Sequence, residues 1–184
     1  MKALRWLAVF GIGVALVALA GGASASTKNF GTNHIACNDG TVYWSPTNVW
    51  PPNHKMVTVN IAYVDNDNDG DSTSITVGMI TDNQAASDGS GELQGSGQPT
   101  AQQGLDWAGT GNTGSGSDPG TPAITTAQVR AERSGTDQGG RVYTIQVMCT
   151  DTGGTDQNDS SELAGQTSTV DLTVVVPHDQ GKNN

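Results

Sequence analysis

The chain has little of what catalysis or nucleic-acid binding would need. Among its 184 residues there are 3 His, 2 Cys and 8 Lys and Arg together, against 18 Asp and Glu. No G-x-S-x-G, no H-E-x-x-H and no phosphate-cradling glycine loop occurs, so the familiar hydrolase and nucleotide signatures are missing. His34, His54 and His178 are far apart in sequence, without the close His and Cys spacing of a zinc site. Carboxylates are plentiful, but a glycosidase pair needs one carboxyl raised by a closed cleft, and Asp residues in polar loops give no reason for such a shift. Aromatic residues make up 5% of the chain. Helical periodicity is almost absent, and no stretch after the first 25 residues is apolar enough to span a bilayer.

The first 25 residues read as an export leader. Lys2 and Arg5 form a basic start, Trp6 to Ala20 an apolar run, and Ala23-Ser24-Ala25 an A-x-A cleavage signal. The mature chain is then expected to begin at Ser26, with 26–184 as a single domain. Two of the 8 basic residues lie in the leader and none of the 18 acidic ones does, so the exported part holds six basic groups against 18 acidic and a net charge of −12. Such a chain repels nucleic acid and anionic membranes, and calls for no membrane insertion after cleavage. The expected location is secreted or extracellular, a periplasm or cell surface included. Cys37 and Cys149, both in the exported part, are expected to form one disulfide closing a loop of about 112 residues.

What the chain does have is strand alternation. Val57, Val59, Ile61 and Tyr63 alternate with polar or small residues, as do Ile75, Val77 and Met79. The same holds for Ala127, Val129 and Ala131, for Tyr143, Ile145, Val147 and Cys149, and for Val170, Leu172, Val174 and Val176. Ile35 to Cys37 adds a short first strand. Short strands without helices point to an all-β fold, an immunoglobulin-like two-sheet sandwich. Residues 82–124 are rich in Gly, Ser, Thr and Gln and read as a long, mobile polar insert, with one short edge strand near Leu105-Asp106-Trp107.

The most informative stretch is Asp65-Asn66-Asp67-Asn68-Asp69-Gly70-Asp71. Oxygen ligands at alternate positions followed by Gly match the start of a calcium loop. Position twelve is Thr76, in a strand pattern, where an EF-hand needs a bidentate Glu, so this is not an EF-hand. The candidate metal ligands are Asp65, Asp67, Asp69 and Asp71, and the expected ion is calcium. In immunoglobulin-like order the loop after Tyr63 and the loop after Cys149 emerge at one end of the sandwich, which brings Asp151 toward the Asp-rich loop and adds it to the set. The opposite end would collect Trp50 to Lys55, the turn 134–140 and Pro177-His178-Asp179.

Tyr143, just after Gly139-Gly140-Arg141-Val142, sits where a tyrosine corner ties a turn to the penultimate strand. Trp50 beside Pro51-Pro52 reads as a plug beneath the sandwich. Trp107, in the soft insert, is the better candidate for ligand contact, although packing is the more ordinary role for an indole.

Trp50-Pro51-Pro52-Asn53-His54-Lys55-Met56-Val57, Arg130-Ala131-Glu132-Arg133-Ser134-Gly135, Gly140-Arg141-Val142-Tyr143-Thr144-Ile145 and Val176-Pro177-His178-Asp179 together resemble the HYR- and PKD-type immunoglobulin-like domains of bacterial secreted and surface proteins. The resemblance covers roughly residues 42–180. It implies a spacer, an adhesive unit or an enzyme appendage, and brings no catalytic residues. The expected function is a secreted, calcium-stabilised, non-catalytic binding or extracellular-matrix module whose partner is an extracellular protein or glycan. The alternatives are a structural subunit assembling by strand addition and a glycan-binding accessory protein of a secreted enzyme system.

Overall fold

The computed structural model describes residues 30–65, 70, 72–83, 106–117, 120–133, 138–151 and 166–178. The described chain is all strand: β1 (Asn33–Cys37), β2 (Gly40–Ser45), β3 (Met56–Val64), β4 (Ser72–Asp82), β5 (Trp107–Ala108), β6 (Thr113–Ser117), β7 (Ala123–Arg130), β8 (Arg141–Asp151) and β9 (Thr167–Val176). They form two antiparallel sheets, β1-β2-β3-β7-β5 and β6-β4-β8-β9. The period-two patterns turn their apolar sets inward with one exception: a register shift between Val77 and Ile80 in β4 turns Met79 outward, 52% exposed, and buries Ile80 in its place. Val59, Ile61, Ile75, Val77, Val129, Tyr143, Ile145, Val147, Leu172 and Val174 are all buried in the space between the sheets. The order β2-β3-β7-β5 against β6-β4-β8-β9 follows the two-sheet division of an immunoglobulin-like sandwich. No helix among the described residues is long and apolar enough to cross a membrane.

Two devices close the sandwich. Cys37 and Cys149 are bonded, with Cα atoms 6.2 Å apart, and both are buried. β1 pairs with β2 and not with β8, so the disulfide links one sheet to the other. At the opposite end the Tyr143 hydroxyl donates to the Arg130 carbonyl at 2.9 Å, tying the start of β8 to the end of β7 as a tyrosine corner does. Arg141, fully buried, donates from Nη1 to the Tyr143 hydroxyl at 3.2 Å and lies 3.0 Å from Oδ1 of the buried Asp106. The Tyr143 phenol is pushed well above its ordinary range, chiefly by burial, with the Arg141 guanidinium opposing.

The stretch expected to be one mobile insert is divided. Residues 84–105 lie outside the described residues, whereas 106–117 supply β5 and β6, and β7 already begins at Ala123. The Gly residues there are structural. A Cβ on Gly114 would strike the backbone of Ile124, and one on Gly116 the Thr121 carbonyl and the Ala123 nitrogen. β6 therefore needs glycine to lie this close to the strand that follows it. Trp107 pairs with Val129 and is 5% exposed, so its indole belongs to the core and presents no open face. Trp50, expected to be a plug, is 41% exposed.

Candidate metal centre

Three connections meet at the disulfide end: the β1–β2 turn, the β3–β4 connection and the end of β8. Cys37 pairs with Gly40 across a two-residue turn made of Asn38, with φ of 56°, and Asp39. Asn tolerates that left-handed conformation better than most residues. The register Thr41↔Val64 and Thr73↔Asp151 sets this turn, the residue after β3 and the last residue of β8 at one end of the sandwich. As a result one carboxylate oxygen each of Asp39, Asp65 and Asp151 lies within 4.8 Å of the other two. Asp39 is exposed, Asp65 half-buried and Asp151 buried.

The position of Asp39 is held from two sides. Asp39 is two residues from the buried Cys37, and its Oδ1 accepts a hydrogen bond from the Tyr63 hydroxyl at 3.2 Å. Gly40 makes that contact reachable, because a Cβ there would collide with the Tyr63 ring and approach the Val64 carbonyl to 2.6 Å. The Tyr63 phenol is raised far above its ordinary value by burial first, then by the negative fields of Asp65 and Asp39. A small hollow of about 20 Å³ beside the carboxylates is lined by Val64, Asp65, Thr73, Ser117, Gly120, Thr121 and Pro122.

Three carboxylates this close repel one another, and a cation among them removes the repulsion. The chemistry of the set is that of a hard cation. Calcium takes oxygen ligands at about 2.3–2.6 Å, so two ligands on opposite sides of the ion stand about 5 Å apart. Oxygens that all lie within 4.8 Å of one another are close enough for one such ion to reach all three. Asp65 and Asp151 come together as the loop order implied. Asp67, Asp69 and Asp71 lie outside the described residues, while Gly70 has φ of 97°, as a tight turn needs. Asp39 was not among the residues expected from sequence. Its signal was the run Asn38-Asp39-Gly40 directly after a half-cystine and before an alternating Val42-Tyr43-Trp44 run, which is a hairpin turn signature.

Comparison with known proteins finds no matching family model, no matching curated protein and no matching solved structure. Function is therefore to be sought in the chemistry of the site itself.

Proposed function

We propose that this protein is an exported, calcium-stabilised binding or matrix module that acts by contact and not by catalysis. The observation that carries the reading is the convergence of Asp39, Asp65 and Asp151 from three connections on one end of the sandwich. Calcium held there would neutralise the carboxylates and fasten the β1–β2 turn, the β3–β4 connection and the β8 end to one another. It would thereby set one rigid end of the domain for contact with an extracellular protein or glycan. The export-type leader, the strongly acidic mature chain and the disulfide support a place outside the cytoplasm. The resemblance of the Trp50–Val57 and Arg130–Gly135 blocks to HYR- and PKD-type domains supports the same reading.

Isothermal titration of the mature chain with calcium chloride tests it. Binding heat that disappears when Asp39, Asp65 and Asp151 are all changed to Asn supports the site. An absence of heat at millimolar calcium overturns it.

A further inference from the structure

The end of the sandwich opposite the carboxylates is closed by the segment from Trp50 to Lys55, and its base is fixed. Val49 is buried, and its N–H donates to the Val175 carbonyl at 2.8 Å. The His54 N–H donates to the Ala131 carbonyl at 2.9 Å, and the Ala131 N–H to the Lys55 carbonyl at 2.8 Å. Arg130 Nη1 donates to the His54 carbonyl at 2.9 Å. Pro51 and Pro52 restrict φ between these anchors. Above that base Trp50, Pro51, Asn53, His54 and Lys55 are all exposed.

His54 is the costly residue of the segment. Its φ is 62°, a left-handed conformation that a residue with a Cβ seldom adopts. Its Nδ1 lies 3.1 Å from Oε2 of Glu132, a carboxylate only 3% exposed. The same Oε2 lies 3.7 Å from Arg130 Nε. The other oxygen, Oε1, is buried and has no hydrogen-bond partner among the described residues. A strained backbone and a buried carboxylate both cost free energy. What they hold in place is an imidazole that is 68% exposed. With Nδ1 against Glu132, Nε2 is the ring nitrogen left to meet a ligand.

We propose that the Trp50–Lys55 segment is a saccharide-binding surface, in which the Trp50 indole stacks on the C–H face of a neutral sugar ring and His54, positioned by Glu132, hydrogen-bonds the ring hydroxyls. A sugar combines an apolar face with a hydroxyl edge. Within four residues this segment supplies an exposed indole and a fixed polar ring, at most about 14 Å apart along the chain. Trp50 is the exposed tryptophan among the described residues; Trp44 gives its Nε1–H to the Thr173 carbonyl at 3.0 Å, and Trp107 is buried. A metal is the poorer fit, since the one cluster of three acidic, His or Cys ligands among the described residues is at the other end. Nucleic acid is disfavoured by the acidic charge. Because base and strain are both in place before the ligand arrives, little ordering entropy remains to oppose binding. The inference rests on the reading of the domain as a binding module.

The test is affinity electrophoresis and calorimetry of the mature chain against soluble β-glucan, xylan, mannan and chito-oligosaccharides, each in calcium and in chelator. At least one probe should bind. Trp50→Ala should weaken it by about tenfold or more without moving the melting temperature, because Trp50 is exposed. His54→Asn, which tolerates the left-handed backbone, should also weaken it. Failure of every probe to bind, or Trp50→Ala binding as the native chain does, overturns the proposal. Calcium-dependent melting measured on the same samples keeps that failure distinct from failure of the metal centre.

Discussion

Asp39 and Asp151 each stand two residues beyond one half of the same disulfide, Asp39 past Cys37 and Asp151 past Cys149. The bond that links the two sheets therefore also sets the separation of two of the three carboxylates. Metal binding and disulfide integrity are expected to be linked, each favouring the other. The Cys37→Ser/Cys149→Ser chain should lose up to about 4–5 kcal/mol of stability and bind calcium more weakly. By reciprocity, calcium should slow reduction of the native disulfide by dithiothreitol, read as thiol release over time. Equal reduction rates in calcium and in chelator would break the link.

Neutralising one carboxylate should change sign with conditions. In chelator, Asp65→Asn relieves repulsion within the cluster and should hold or raise stability, by about 0.5–1 kcal/mol at most. In calcium the same change removes a ligand and should lower the melting temperature relative to the native chain. Parallel thermal scans of both proteins check this. A variant less stable by the same amount in both buffers would mean that Asp65 serves packing only.

Tyr143→Phe should cost about 1–3 kcal/mol, since it strips the Arg130 carbonyl of a 2.9 Å donor and the buried Arg141 of an acceptor. Urea unfolding at fixed calcium measures it. The loss should be the same with and without calcium, because the corner lies at the opposite end from Asp39, Asp65 and Asp151. A calcium-dependent loss would contradict the separation of the two ends.

The buried phenols predict an alkaline limit. Tyr63 and Tyr143 both have raised values in the folded chain. A raised folded value favours the neutral phenol, so this contribution to stability is fully present below the unfolded value of about 10 and is lost as pH rises beyond it. Absorbance of tyrosinate during alkaline titration should show two phenols that ionise only with unfolding. Calcium beside Asp39 and Asp65 should lower the Tyr63 value by cancelling part of the field that raises it. Three tyrosines titrating together in the folded protein would contradict the burial.

The sandwich was legible because burial between two sheets imposes alternation, which β8 and β9 show along their length, while β3 keeps it until Ile61-Ala62-Tyr63 and β4 until the register shift after Val77. The meeting of Asp65 with Asp151 was legible for a topological reason: loops at one end of a sandwich converge. β6 was not, since Thr-Gly-Ser-Gly-Ser has no inward side chain to alternate, and its glycines exist to admit the backbone of Ile124 and Thr121. Trp50 was misread, and Trp107 was left open between packing and ligand contact, for a related reason. Exposure is decided by register, and Trp107 opposite Val129 faces the core while Trp50 stands clear of it on a proline-braced turn. Asp39 was hidden because a lone Asp in a turn carries no periodic signal, and only the pairing of β1 with β2 and of β2 with β3 brings it to Asp65.

The most direct test is thermal unfolding of the mature chain in chelator and across a calcium titration, beside the triple change Asp39→Asn/Asp65→Asn/Asp151→Asn. Ligand binding to the folded state alone adds about 2.7 kcal/mol when calcium reaches a hundred times its dissociation constant. The native chain should therefore gain melting temperature steadily with calcium, and the triple variant should not. A native melting temperature that is the same in chelator and in millimolar calcium would contradict the account.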